Sequence, residues 1–148
     1  MDQQQLDELT GQADRDGIAQ LVVGAVIVHN DHVLLLKRPA DDFMGGIFEL
    51  PSGKVEPDER LDDALTREVK EETGLKLAAI TAYLGSFDYT SGSGKPSRQF
   101  NFAIEVTATE PIVLTEHDDY QWTQIDDEPP VTDAVKTVLS TYRDSHSG

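Results

Sequence analysis

Three glutamates, Glu68, Glu71 and Glu72, crowd into the stretch LDDALTREVKEET. Read as a helix, that stretch has an apolar stripe of Leu61, Ala64, Leu65 and Val69. Steps of three, four and seven residues along the stripe land on the three glutamates. The carboxylates therefore share one side of the helix and adjoin its buried face. Like charges at this spacing repel. Glu71 and Glu72 fall in the last turn, where the helix dipole disfavours anions by roughly 0.3–1 kcal/mol each. Partial burial also strips their hydration. A bound hard cation relieves all three costs, because oxygen ligands are what Mg²⁺ and Ca²⁺ take. The competing reading is a solvated glutamate run on a surface helix, and the inner position of the residues weighs against it.

The helix that must position them is expected over Leu61–Thr73. Asp58 is expected to cap its first turn, and Asp62 and Asp63 suit the positive end of the dipole. Gly74 follows as a left-handed stop. A glycine upstream, Gly53, would let backbone approach closely.

Together these residues bring a resemblance. Gly53, Glu59, then Arg67-Glu68-Val69-Lys70-Glu71-Glu72-Thr73-Gly74-Leu75 match every fixed position of the Nudix box, with Val69 and Leu75 in its two bulky aliphatic slots. The chain resembles a Nudix hydrolase of the MutT type. The resemblance implies that Glu68, Glu71 and Glu72 ligate metal, together with the main-chain carbonyl of Gly53. It does not settle which glutamate also takes a proton. The ion implied is Mg²⁺, with Mn²⁺ as a substitute. Glu59 and Arg67 are implied to hold the ligating glutamates in place; for Arg67, a surface pair with Asp63 four residues earlier is an equal reading from sequence alone.

Outside the box, Glu116 is the first choice for an extra ligand or general base, against a solvated loop acid, and His117 is an alternative base. Trp122 could stack on a nucleobase, although a lone Trp on a strand more often packs in a core. Arg38, Lys37 and Arg98 could meet phosphates. Phe43, Met44 and Phe48 could line a base pocket, with core packing the safer place for Phe48. The activity implied is hydrolysis of a nucleoside diphosphate linked to another moiety, foremost a nucleoside triphosphate pyrophosphohydrolase. The Glu116-His117…Trp122 segment leans that way. ADP-ribose or nucleotide-sugar hydrolysis is an alternative, but that subclass carries a proline where this chain has Tyr89-Thr90-Ser91, and Pro96 comes too late. Dinucleoside polyphosphate hydrolysis is another, though Tyr89 comes early for its tyrosine. A reading of another class is a non-catalytic nucleotide-sensing or protein-binding Nudix domain; a complete box argues against it. An acidic calcium module lacks its D-x-D-x-D-G loop.

The rest of the chain must supply a sheet for this helix. Ile18–His29 and His32–Arg38 read as strands around an Asn30-Asp31 turn, followed by a loop over 39–46 and a short strand over Ile47–Leu50. Leu77–Tyr89 reads as one long strand or two with a bend at Gly85. Arg98–Thr107 alternates as a half-buried strand. Ile112–Leu114 and Tyr120–Ile125 are further strands, 126–130 is a break, and Val131–Tyr142 has the spacing of a closing helix. The fold class is α/β (α+β). The resemblance implies a Nudix-like α/β/α sandwich with a central mixed sheet. Residues 1–16 read as a polar arm with one helical turn near Leu6 and Leu9, 17–143 as a single Nudix domain, and 144–148 as a frayed tail.

At 148 residues and 38% apolar, the chain suits one domain with a real core. A net charge of −16 argues against a nucleic acid polymer as partner but not against a small phosphorylated nucleotide. The chain has no cysteine, no membrane-length apolar run and no basic, apolar leader, so a cytoplasmic location without membrane contact is expected. A homodimer is compatible with all of this.

Overall fold

The structure is a computed structural model and describes residues 3–38, 47–114, 117, 119–124 and 131–146. Strand β1 (Gln20–His29) is rich in Val and Ile and buried over residues 22–27. It can be apolar on both faces because it lies inside a sheet covered on both sides. On one edge it pairs in parallel with β6 (Pro96–Val106). On the other edge it has two successive antiparallel partners. β4 (Ser52–Lys54) takes Val22–Gly24, and β2 (His32–Lys37) takes Val28 and His29. The sheet forks where one partner gives way to the other. β2 also carries β3 (Phe48–Glu49) and β7 (Asp119–Gln124), and β5 (Leu77–Thr90) closes the far edge against β6. The main strand order is β3-β2-β1-β6-β5.

Period-two alternation distributes side chains to two cores. Val23, Ala25 and Ile27 join Phe100, Phe102 and Ile104 against Leu61, Ala64, Leu65 and Val69 of α2 (Leu61–Thr73), with Leu6 and Ala13 of α1 (Gln3–Arg15). Val26, Leu35 and Ala103 face Val135, Val138 and Leu139 of α3 (Asp133–His146). This is the expected α/β/α arrangement around a mixed sheet. Among the described residues, no helix is long and apolar enough to cross a membrane.

Several local expectations are corrected. The polar arm is instead a 13-residue helix, because Leu6 and Ala13 find a buried site beside α2. Strand β6 is not half-buried: residues 99–104 are buried on both faces, since β6 lies between β1 and β5 with helices above and below. Ile112–Leu114 is not a strand; Val113 instead donates its N–H to the Thr73 carbonyl at the end of α2. Helix α3 runs on to His146, into the segment read as a tail. The loop over 39–46 and the break over 126–130 lie outside the described residues.

Candidate active site

Helix α2 starts without the expected side-chain cap. Arg60 occupies the N-cap position, and Asp58 sits two residues earlier in a left-handed conformation (φ 64°). The charge of Asp62 and Asp63 remains to favour the first turn. The other end is held firmly. Gly74 (φ 77°) donates to the Lys70 carbonyl, and the Thr73 hydroxyl donates to Val69 O at 2.6 Å while accepting the Leu75 N–H. The glutamates thus sit on a helix whose C-terminus cannot fray freely.

Glycine is required at position 53 for a reason visible in the packing. Gly53 pairs with Val23 on β1, and a Cβ there would overlap the carboxyl group of Glu68. The Glu68 carboxylate therefore rests on the backbone of β4. Burial pushes its pKa up, against the hydrogen bond from Arg67 that favours the charged form. Arg67 is a hub. Its Nε and Nη2 donate to the two oxygens of Glu59, each at 2.8 Å; Nη1 donates to Glu68 at 2.7 Å and Glu71 at 3.1 Å; Nη2 also donates to the Lys54 carbonyl at 2.9 Å. The Asp63 pairing is not among these contacts. The two-pronged bond from Arg67, aided by the Glu56 N–H, holds the Glu59 carboxyl at about 2.

Glu72 turns from the helix into the fork of the sheet. It is buried, and its Oε2 has no hydrogen-bond partner among the described residues. His117 Nδ1 stands 3.3 Å from that oxygen, in ion-pair range but out of line for a hydrogen bond. His117 Nε2 lies 2.7 Å from Glu49, which in turn pairs with Arg38 at 3.4 Å. Burial alone would lower the His117 pKa, but the Glu49 and Glu72 carboxylates beside it outweigh burial and carry it up to about 9. A cleft of about 470 Å³ opens beside Glu72 and His117, lined by Arg38, Phe48, Phe87, Tyr89 and Gln99 among others.

Among the described residues, no three His, Asp or Glu side chains close around one point as a finished metal site. The protein's own basic groups engage all three glutamates, Arg67 on Glu68 and Glu71 and His117 beside Glu72. The donor set nonetheless fits a hard divalent ion: all oxygen, with one buried carboxylate oxygen accepting no hydrogen bond among the described residues and another carboxylate laid against a backbone that has no Cβ.

The family profile described as a NUDIX domain matches residues 19–142. This chain belongs to the Nudix family. Among the Nudix proteins it is similar to are a CTP pyrophosphohydrolase of Escherichia coli K12, 43% identical over 44% of this chain and 47% of that enzyme, and a nucleoside triphosphatase NudI of Escherichia fergusonii, 33% identical over 73% of this chain and 84% of its own. The chain spans about half the length of the first of these. The solved structure of a MutT NUDIX hydrolase from Burkholderia pseudomallei superposes with a TM-score of 0.71 at 28% identity, over 82% of this chain and 96% of that one.

Against the Nudix reading of the sequence, the structure brings Gly53, Glu59, Arg67, Glu68 and Glu71 into one bonded cluster and turns Glu72 towards the cleft with Arg38. Two further sequence choices have other neighbours in the fold. Asp88 at 2.7 Å and Asp16 at 3.0 Å engage the Arg98 guanidinium, tying α1 to the β5–β6 hairpin. Trp122 lies away from this cleft, packed at the edge of the α2-side core with His29 edge-on at 6.4 Å. Glu116, Phe43 and Met44 lie outside the described residues. Sequence reasoning overlooked Glu49 and Gln99. Glu49 meets His117 across 68 positions, so no local spacing could reveal the pair.

Proposed function

We propose that the protein hydrolyses a nucleoside diphosphate linked to another moiety, with a nucleoside triphosphate as the favoured substrate. The observation that carries this reading is the Glu72 carboxylate. It is buried, its Oε2 accepts no hydrogen bond among the described residues, and it sits at the meeting point of the glutamate helix and an aromatic-lined cleft. The nucleoside triphosphatase named among the relatives, alike over most of both chains, supports the choice of substrate class.

Glu68, Glu71, Glu72 and the Gly53 carbonyl would hold a divalent ion, Mg²⁺ or Mn²⁺. When bound, the ion supplies Lewis acidity and neutralises phosphate charge. The chain's own residues do the rest. Arg67 fixes the rotamer of Glu68 and keeps it from swinging into solvent. Glu59 anchors Arg67 from the loop before α2. Arg38, at the mouth of the cleft, can bond phosphate oxygens. Phe48, Phe87 and Tyr89 offer an apolar wall for the base and exclude water from that side.

The test is a substrate panel with Mg²⁺: nucleoside triphosphates, ADP-ribose, nucleotide sugars and dinucleoside polyphosphates, with products separated by chromatography. Selective release of nucleoside monophosphate and pyrophosphate from triphosphates is the expected result. Turnover of another class alone would replace the substrate assignment. No turnover with either metal would leave a nucleotide-binding domain.

A further inference from the structure

Behind the aromatic wall lies a pair of buried amides that the phosphate chemistry does not use. Gln99 and Asn101 are consecutive on the α3-facing side of β6, 8% and 0% exposed. A chain of bonds fixes which way each amide points. Asn101 Nδ2 donates to the backbone carbonyls of Gly85 at 3.2 Å and Gln99 at 3.4 Å. Carbonyl oxygens only accept, so the NH₂ of Asn101 must face them and its Oδ1 must face the other way. That oxygen accepts from Gln99 Nε2 at 2.8 Å. The Gln99 amide is therefore locked with its nitrogen towards Asn101 and Gly24. Its Oε1 points away from both, and Gln99 lines the cleft. Gly85 is left-handed (φ 93°) at a break in the β5–β6 register, and its carbonyl anchors the chain of bonds. Gly24 leaves the space: a Cβ there would run into both amides. Phe87 is the cross-strand partner of Gln99, and the Tyr89 ring lies 6.1 Å from that of Phe87.

We propose that Gln99, oriented by Asn101, is the base-reading residue: a fixed hydrogen-bond acceptor beside an aromatic wall, selecting nucleotides whose base carries an exocyclic amine over their keto analogues. This rests on the nucleotide reading above and deepens it. Cytosine and adenine present an amine where uracil and hypoxanthine present a carbonyl oxygen. Against a Gln99 that cannot flip, the keto base sets acceptor against acceptor. A freely rotating glutamine would serve both, so the selectivity resides in Asn101 and Gly85 as much as in Gln99.

The test compares kcat/KM for CTP against UTP and ATP against ITP, alongside equilibrium binding of CMP and UMP by calorimetry. The wild type should favour the amine-bearing member of each pair about tenfold or more, the scale of one mispaired buried hydrogen bond. Gln99→Met keeps the length without the acceptor and should bring both ratios to near one. Asn101→Leu keeps Gln99 but releases its orientation, and should shrink the ratios chiefly by raising KM for the amine-bearing member of each pair. A purely structural role would lower all substrates alike. Equal use of both members by the wild type, or unchanged ratios in Gln99→Met, would overturn the proposal even if Asn101→Leu failed to fold. Absent turnover with CMP bound over UMP would remove the hydrolase reading and sustain this one. Absence of binding by either would remove this one.

Discussion

Arg67 uses all three guanidinium nitrogens, on Glu59, Glu68, Glu71 and the Lys54 carbonyl. A lysine offers one nitrogen and cannot make the fork. Arg67→Lys is therefore expected to lower kcat/KM by about 10–100-fold, as loss of an orienting partner does, with the helix retained by circular dichroism. Unchanged kinetics would take Arg67 out of any positioning role. Glu72→Gln keeps the volume but removes the charge from the buried carboxylate beside His117. It should leave the fold intact and cost more than about 100-fold in turnover, beyond the usual outer-partner effect. It should also shrink the rise in Tm that added Mg²⁺ gives the wild type, since a ligand that binds only the folded state stabilises it. Full turnover in this variant would sink the metal assignment. At this scale the sequence disclosed the glutamates, Gly53, Glu59 and Arg67, because their spacing is local. Glu49 and Gln99 stayed hidden because their partners are brought by the sheet. Core packing was the favoured reading of Trp122 and is what the fold provides, whereas the Asp16 and Asp88 partners of Arg98 could not be read locally: residue type shows what a side chain can do, and only the fold shows which neighbours engage it.

The loop before α2 and the helix itself are joined chiefly by the Glu59–Arg67 fork. The Glu59 carboxyl lies well below its ordinary 4.5, at about 2. A depressed carboxyl adds stability that is complete above the unfolded value and fades as pH falls through the folded one. The Tm difference between wild type and Glu59→Gln should thus be constant above about pH 5 and close as pH approaches 2. A difference that persists unchanged to pH 2 would show that the fork contributes packing and not charge. Asp58 gives the opposite kind of prediction. It holds φ 64° and caps nothing, so Asp58→Gly should be neutral or slightly stabilising, where loss of a true N-cap would cost about 1 kcal/mol. Chemical denaturation separates the two outcomes. Helix α2 was legible to the residue, because apolar stripe and glycine stop agree. Its cap was not, since Asp, Glu and Arg crowd the same turn and only the backbone conformation chooses among them. Helix α1 was read as an arm because Leu6 and Ala13 make too sparse a stripe to announce burial.

For the whole molecule the dominant electrostatic fact is the charge of −16. Self-repulsion of that size opposes compaction and is screened by salt. Raising NaCl from low levels to about 0.5 M is expected to increase Tm, with the Debye length falling to about 4–5 Å. A decrease would mean that the Arg67 and Arg98 ion pairs outweigh the global repulsion. The layered fold was legible from strand patterning and the closing helix, whereas burial of β6 on both faces was not, because alternation of large and small side chains resembles alternation of inside and outside. Finally, the register of β1 has a consequence for how such a protein can change. Gly53 lies opposite Val23, while Gly24 lies opposite Ser52 and Asn101. Neighbouring rungs of one strand thus support the glutamate cluster on one face and the amide pair on the other. Diversification of what the cleft accepts can proceed by substitutions at 99 and 101 that never touch the helix carrying the carboxylates. A duplicated copy could drift towards a new ligand while inheriting its reactive apparatus whole.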